Sequence, residues 1–438
     1  MTRFFSFTFT LLLASLVSCS GVSKSSETTK AFQKTDFCKT DPGNNYEIYV
    51  PKRDKNQEKL PLLVILDSHG GGKFALEKFK KGAGQYPVVL AASNLIKNGY
   101  ADFDRAIGRL IEDIRQKYPA NETIYLAGFS GGARMALGYA LAHPVNGLIL
   151  CGALGNPQQI GALSCPILSI SGTDDFNFVE TAQYLLQEET MPQNLKIELI
   201  NASHSWPDNQ MLADALGAFR LSESTAPATQ LSTYLHRQHA RIDSLKKNNE
   251  WVKAEQLARN MAITNNLDKD KTFWKEYNFL RTSSRYLDQL NQLGQCLSNE
   301  MNLRQSYVEA FSSKDEAWWK NEIKAIDDHI KNSSDPLSQD MYRRIKGFWG
   351  IACYSYCKQA VAQRDEAMLR KTLEIYQAVE PRNPDMFYFS AFLPYWKGDA
   401  TSTIEALQKA VGEGYADLDQ LTKDFSENIS LRIKERRR

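Results

Sequence analysis

Residues 123–142 read TIYLAGFSGGARMALGYALA, and the turn in their middle decides the fold. Thr123 to Ala127 is a short β-type run, and Gly131 to Ala142 has the composition of a helix. Between them stands Gly128-Phe129-Ser130-Gly131-Gly132, a G-x-S-x-G element in strand–turn–helix context. A serine on so sharp a turn takes a strained backbone conformation. The residues two before and two after it must be small for strand and helix to approach. The turn lifts the Ser130 hydroxyl out at the carboxyl end of the strand. There the Gly131 N–H and the positive end of the helix can face a developing oxyanion.

Outward from that turn, β-type runs alternate with helical patterns from Tyr46 to about Leu221. Leu60 to Asp67 is continuously apolar, as expected of a strand buried on both faces. Tyr86 to Ala92 is the next run. Phe103 to Tyr118 is amphipathic, with Ile107, Leu110, Ile111 and Ile114 at helical spacing. Strands over Gly147–Cys151, Pro166–Ser171 and Leu195–Ile200 alternate with helices over Phe178–Glu188 and Asn209–Phe219. Such alternation predicts a doubly wound parallel sheet covered on both faces, an α/β unit spanning 46–221.

Residues 222–230 are small, polar and carry one proline, the composition of a linker. Beyond them the β signal disappears. Helices are expected over Leu231–Lys247, Glu250–Ile263, Ala317–Ile330, Met341–Gln359, Asp365–Val379, Asp385–Trp396 and Thr401–Val411. Tyr354 and Tyr388, Asp365 and Asp399, and Leu373 and Leu407 recur 34 residues apart. That period is the tetratricopeptide signature, and Ala406 to Leu421 resembles a closing repeat of that family. The expected fold class is therefore α/β followed by all-α, with a tetratricopeptide-like domain over 231–438.

The chain has 438 residues, too many for one ordinary domain, and a formal net charge of +2. Near-neutral charge gives no reason to expect a nucleic-acid partner. Phe4 to Val17 is uncharged and apolar, but shorter than the ~20 residues of a membrane-spanning helix. It ends in Leu16-Val17-Ser18-Cys19, which resembles a bacterial lipoprotein signal whose cysteine receives lipid and becomes the mature N-terminus. The expectation is a leader over 1–19, lipidation at Cys19, a polar tether over 20–45, and a protein held to a membrane of the cell envelope. Cysteine is too sparse, at seven residues, for a disulfide scaffold. Cys353 and Cys357 fall on one helix face, and Cys151 reads as a small core residue.

A serine hydroxyl needs a base to remove its proton. Of the six histidines, His204 stands just after the last expected strand, where sites assemble in parallel sheets. His143 lies a helix length from Ser130 and reads as structural. The imidazole in turn needs an acid. Asp174 and Asp175 follow the strand Pro166–Ser171, and spacing does not choose between them. His69-Gly70-Gly71-Gly72 follows the strand ending at Asp67, and a glycine run there lets backbone amides approach an oxyanion. His69 suits shaping that loop better than acting as base.

Residues 46–221 resemble an α/β-hydrolase, most closely the polyhydroxybutyrate-depolymerase and feruloyl-esterase branch, on His69–Gly72, Gly128–Gly132 and His204–Pro207. The order Ser130, Asp, His204 is that family's order. The resemblance implies Ser130 as nucleophile, His204 as base, Asp175 rather than Asp174 as acid, and Gly70, Gly71 and Gly131 as oxyanion hole. His69 and Trp206 become substrate-pocket candidates, Trp206 being equally suited to supporting its loop. Only about fourteen residues separate the strands ending at Cys151 and starting at Pro166, so no lid is inserted there. The implied activity is a carboxylic-ester hydrolase with no metal or organic cofactor, an amide being a second substrate class. The rival reading takes the helical half as the working part, a groove for a peptide or protein partner with the hydrolase fold as docking module.

Overall fold

The chain's apolar runs assemble as one eight-stranded sheet. The computed structural model describes residues 28–54, 59–222, 227–264, 267–415 and 417–435; the leader expected over 1–19, with Cys19, lies outside the described residues. The strands are β1 (Phe32–Cys38), β2 (Asp41–Val50), β3 (Leu60–Leu66), β4 (Val89–Ser93), β5 (Ala120–Phe129), β6 (Gly147–Cys151), β7 (Ile167–Gly172) and β8 (Leu195–Ile200). They lie in the order β8-β7-β6-β5-β3-β4-β2-β1. From β3 to β8 every pairing is parallel, while β2 runs antiparallel to both β4 and β1. All seven residues of β3 are buried, which is why it reads as an unbroken apolar run.

Helices α1 (Gly72–Gln85), α2 (Phe103–Lys117), α3 (Gly131–Ala142), α4 (Phe178–Leu185) and α5 (Asn209–Leu221) connect and cover these strands. Then come α6 (Ala228–Lys247), α7 (Trp251–Ala262), α8 (Thr272–Arg281), α9 (Ser284–Ser313), α10 (Glu316–Asn332), α11 (Pro336–Gln363), α12 (Glu366–Val379), α13 (Pro384–Ser390), α14 (Phe392–Trp396), α15 (Ala400–Gly412), α16 (Leu418–Asp424) and α17 (Glu427–Glu435). This is the α/β sheet followed by an all-helical region that the sequence leads one to expect. Among the described residues, no helix is long and apolar enough to cross a membrane.

The boundaries differ from expectation in several places. The expected tether over 20–45 contains β1 and the start of β2, so the sheet begins before residue 46. Strand β1 is a sheet edge and mostly exposed, so it carries no alternating apolar signal. Its turn is fastened by Asp113 of α2, which accepts hydrogen bonds from the Lys39 N–H (2.8 Å) and the Tyr46 hydroxyl (2.6 Å). Helix α6 begins inside the expected linker. Helices α1, α8, α9 and α17 lie outside the expected ones: α1 follows a glycine run, and α9 carries the charged Glu300 on the face that buries Tyr286, Leu293 and Tyr307. The helix expected over Asp385–Trp396 is two helices, because Pro394 has no N–H to donate to Ser390.

The apolar core also ignores the expected division at 222–230. One continuous core joins the sheet to buried residues of α6–α9 such as Tyr234, Ile242, Leu257 and Leu293, and a second runs from Tyr307 to Ile433. Asn260 of α7 seals the free edge of β8, accepting from the Ile197 N–H (3.1 Å) and donating to its carbonyl (2.6 Å). Edge strands covered in this way cannot recruit another chain. In the second core, positions 34 residues apart occupy equivalent places. Asp365 and Asp399 each cap a helix, Arg364 and Gly398 before them have positive φ, and Leu373 and Leu407 are buried.

Candidate active site

Strand β5 ends at Phe129 and α3 starts at Gly131, leaving Ser130 on the turn with φ 54° and ψ −118°. A non-glycine residue at positive φ is strained and persists only where its surroundings over-determine it. Here the Ser130 N–H is held by the Cys151 carbonyl of β6 (2.8 Å). A Cβ on Gly128 would collide with the Gly132 backbone, and one on Gly132 would collide with the Leu66 carbonyl of β3. Both glycines are therefore required by the approach of α3 to the sheet.

Three side chains from three loops meet at this turn. His204 Nε2 is 2.9 Å from Ser130 Oγ. Its Nδ1 is 2.9 Å from both carboxylate oxygens of Asp175. Asp175 is 1% exposed and also accepts the Asn177 N–H at 2.8 Å. The rings of Phe129 and Phe176 flank the imidazole, with centroids 4.7 and 4.3 Å away. Asp174, the choice that spacing left open, points elsewhere. Burial raises its carboxyl above the usual range and Asp340 of α11 adds to the rise. His143 pairs with Asp104 (2.9 Å), away from Ser130.

The oxyanion loop departs from expectation. The Gly71 N–H donates to Asp67 Oδ1 (3.2 Å), as does the His69 N–H (2.9 Å), and the Gly70 N–H donates to the Asp67 carbonyl (3.1 Å). The amides of Gly70 and Gly71 are thus committed to holding the loop. Gly131, as the first residue of α3, has an amide with no acceptor within its helix and the helix dipole behind it. The carboxamide of Asn98 lies across Gly131, so close that a Cβ there would collide with it. Asn98 is a neighbour the sequence did not single out, since it sits in an irregular loop after β4.

Trp206 does not line an open pocket. It is 8% exposed, donates to Asp67 Oδ2 at 2.8 Å, and packs on Phe79 and Phe129. Asp67 thereby ties the histidine loop to the glycine loop. The His69 side chain points outward, 79% exposed, as suits a rim position.

The helical half grips the loop that carries the acid. Arg344 of α11 donates to the Thr173 carbonyl (2.5 Å), and Arg304 of α9 donates to the Phe176 carbonyl (2.8 Å). These carbonyls stand on either side of Asp175. Both guanidiniums are held by one carboxylate, Glu300 of α9, at 2.7 Å (Arg344 Nε) and 2.6 Å (Arg304 Nη2). Glu300 is 0% and Arg344 1% exposed. A buried charge trio of this kind is costly to assemble and costly to break. On the opposite side of the site, Lys97 pairs with Asp417 at 2.8 Å. Among the described residues, no group of three or more His, Cys, Asp or Glu is placed to hold a metal ion.

No family model and no curated protein matches the chain. Several solved structures resemble part of it. The esterase domain of a Rhodothermus marinus protein is 10% identical, covering 43% of this chain and 95% of its own, with a TM-score of 0.34. An S-formylglutathione hydrolase from Agrobacterium tumefaciens is 13% identical over 42% of this chain and 91% of its own, with a TM-score of 0.33. A lidless α/β serine hydrolase from Xanthomonas campestris is 19% identical over 45% of this chain and 98% of its own, with a TM-score of 0.34. The fold class itself rests on the strand order, a parallel sheet with its antiparallel strands at one edge.

Proposed function

We propose that this chain is a serine hydrolase that cleaves carboxylic esters, exported and anchored to a membrane of the cell envelope through lipid on Cys19. The observation that carries the reading is the continuous hydrogen-bonded line from Ser130 Oγ through both nitrogens of His204 to Asp175. In the proposed reaction His204 Nε2 takes the Ser130 proton as Oγ attacks the carbonyl carbon. Asp175 holds the imidazole in the tautomer that accepts at Nε2 and stabilises the charge it acquires. The Gly131 amide and the α3 dipole stabilise the oxyanion. His204 then protonates the leaving alcohol, and water activated by the same nitrogen releases the acid and restores Ser130. Esters are favoured by the esterase resemblance; an amide requires the same steps with a poorer leaving group.

The 34-residue equivalences support a tetratricopeptide-like reading of the later helices, which would hold or deliver a partner beside the site. Hydrolysis of p-nitrophenyl acetate by residues 20–438 tests the enzymatic reading. Ser130→Ala and His204→Ala are expected to lower kcat by about 10⁶-fold, and Cys19→Ser to release the full chain from the membrane fraction. Equal turnover by Ser130→Ala would overturn it.

A further inference from the structure

A cavity of molecular size lies far from Ser130. It has a volume of about 850 Å³ and opens between the amino ends of β7 and β8 and helices α7 and α8. That is the size of a small-molecule site. Ser130, His204 and Asp175 stand at carboxyl ends of strands, and six residues of β8 at ~3.3 Å each put this cavity roughly 20 Å away.

Its lining includes Lys196, Glu188, Arg259, Trp274, Tyr277 and Arg281. The carboxylate of Glu188 is already engaged by the hydroxyls of Tyr277 and Tyr286 and lies 3.9 Å from Arg259 Nε. Arg259 also donates to the Leu195 carbonyl (3.0 Å). Lys196 is different. It is 7% exposed, and among the described residues no carboxylate or other acceptor stands within reach of its ammonium. Burial, followed by repulsion from Arg259, lowers its pKa to about 8. Buried charges are ordinarily paired. Among the described residues Arg281 meets Tyr277 alone, through its hydroxyl (3.2 Å) and the face of its ring. Trp274 is 45% exposed and supplies a flat apolar wall. The lining sets three cations, Lys196, Arg259 and Arg281, against two carboxylates, Glu188 and Glu189, and this excess of positive charge beside an aromatic face is the complement of an aryl anion.

We propose that this cavity binds a small organic anion with a planar apolar body, its acid group on Lys196 among Arg259 and Arg281 and its ring against Trp274. Calorimetric titration of the full chain tests it with phenyl phosphate, benzoate, inorganic phosphate and benzyl alcohol. At least one aryl anion is expected to bind saturably, and inorganic phosphate and benzyl alcohol at least about 10-fold more weakly. The phosphate and carboxylate arms distinguish the two acid groups. Lys196→Met and Trp274→Ala should each weaken binding by about 10-fold or more, with fluorophosphonate labelling of Ser130 unchanged. Lys196→Met should also raise the melting temperature of the ligand-free protein, because it removes an uncompensated buried charge. A lowered melting temperature would reveal a stabilising partner at Lys196 and overturn the proposal. So would aryl-anion binding that both variants leave intact, or no binding at about 10 mM.

Discussion

The two neighbouring aspartates show how much a single position decides. Asp174 and Asp175 both follow the glycine that ends β7, and either could orient an imidazole on chemical grounds. The turn that closes with the Asp175 N–H on the Gly172 carbonyl (3.3 Å) aims Asp175 at His204 and Asp174 at α11. Asp175→Asn is expected to lower kcat by about 10⁴-fold, because the amide cannot hold the same imidazole tautomer. Asp174→Asn should stay within about 3-fold of wild type, since an already raised carboxyl loses little on becoming neutral. Steady-state kinetics on the same ester checks both, and a reversed ranking would put the acid at 174. The meeting of Ser130 with His204 was legible from the sequence because each stands beside a turn at the carboxyl end of an expected strand. The role of Gly70 and Gly71 was not. Whether a glycine amide is free depends on Asp67, and a sequence does not show where that carboxylate turns.

At the scale of elements, the α/β half was readable because buried parallel strands are continuously apolar and their helices amphipathic. The arginine clamp was invisible. It joins α9 and α11 to a loop more than a hundred residues earlier in the chain, and its members Glu300 and Arg304 are charged residues that break the apolar face of α9. The clamp makes a prediction that a bystander contact would not. Arg344→Met removes the donor to the Thr173 carbonyl, so the Asp175 loop drifts from its position over His204. A misplacement of this kind costs about 100-fold in kcat, while KM, set by groups on other loops, should move less than about 3-fold. Arg344→Lys, which keeps a charge for Glu300, should recover part of the loss. Unchanged kcat in a folded Arg344→Met protein would reduce the clamp to packing.

At the scale of the whole molecule, the composition change near residue 222 marks the end of the strands but not the end of their core. The helices through α9 finish what the sheet begins. Tyr234, Ile242, Leu257 and Leu280 are each at most 3% exposed, and each contributes roughly 1.5–3 kcal/mol by burial. Their sum approaches the total stability of an ordinary domain, and β8 would be left with an uncovered edge. A chain cut after residue 221 is therefore expected to aggregate, or to lose cooperative unfolding when followed by circular dichroism. A truncated protein that melts cooperatively and hydrolyses esters at the full rate would show the core to be divisible at the composition boundary. The helical half is fastened to the loops around Ser130 at two places, by Arg304 and Arg344 on the Asp175 loop and by Asp417 on Lys97.

The most direct measurement is the position of a covalent adduct. The full chain treated with a fluorophosphonate and digested should carry the phosphonyl group on the peptide containing Ser130, and His204→Ala should carry almost none. An adduct on another residue, or undiminished labelling without the imidazole, would contradict the assignment of Ser130 as a nucleophile activated by His204.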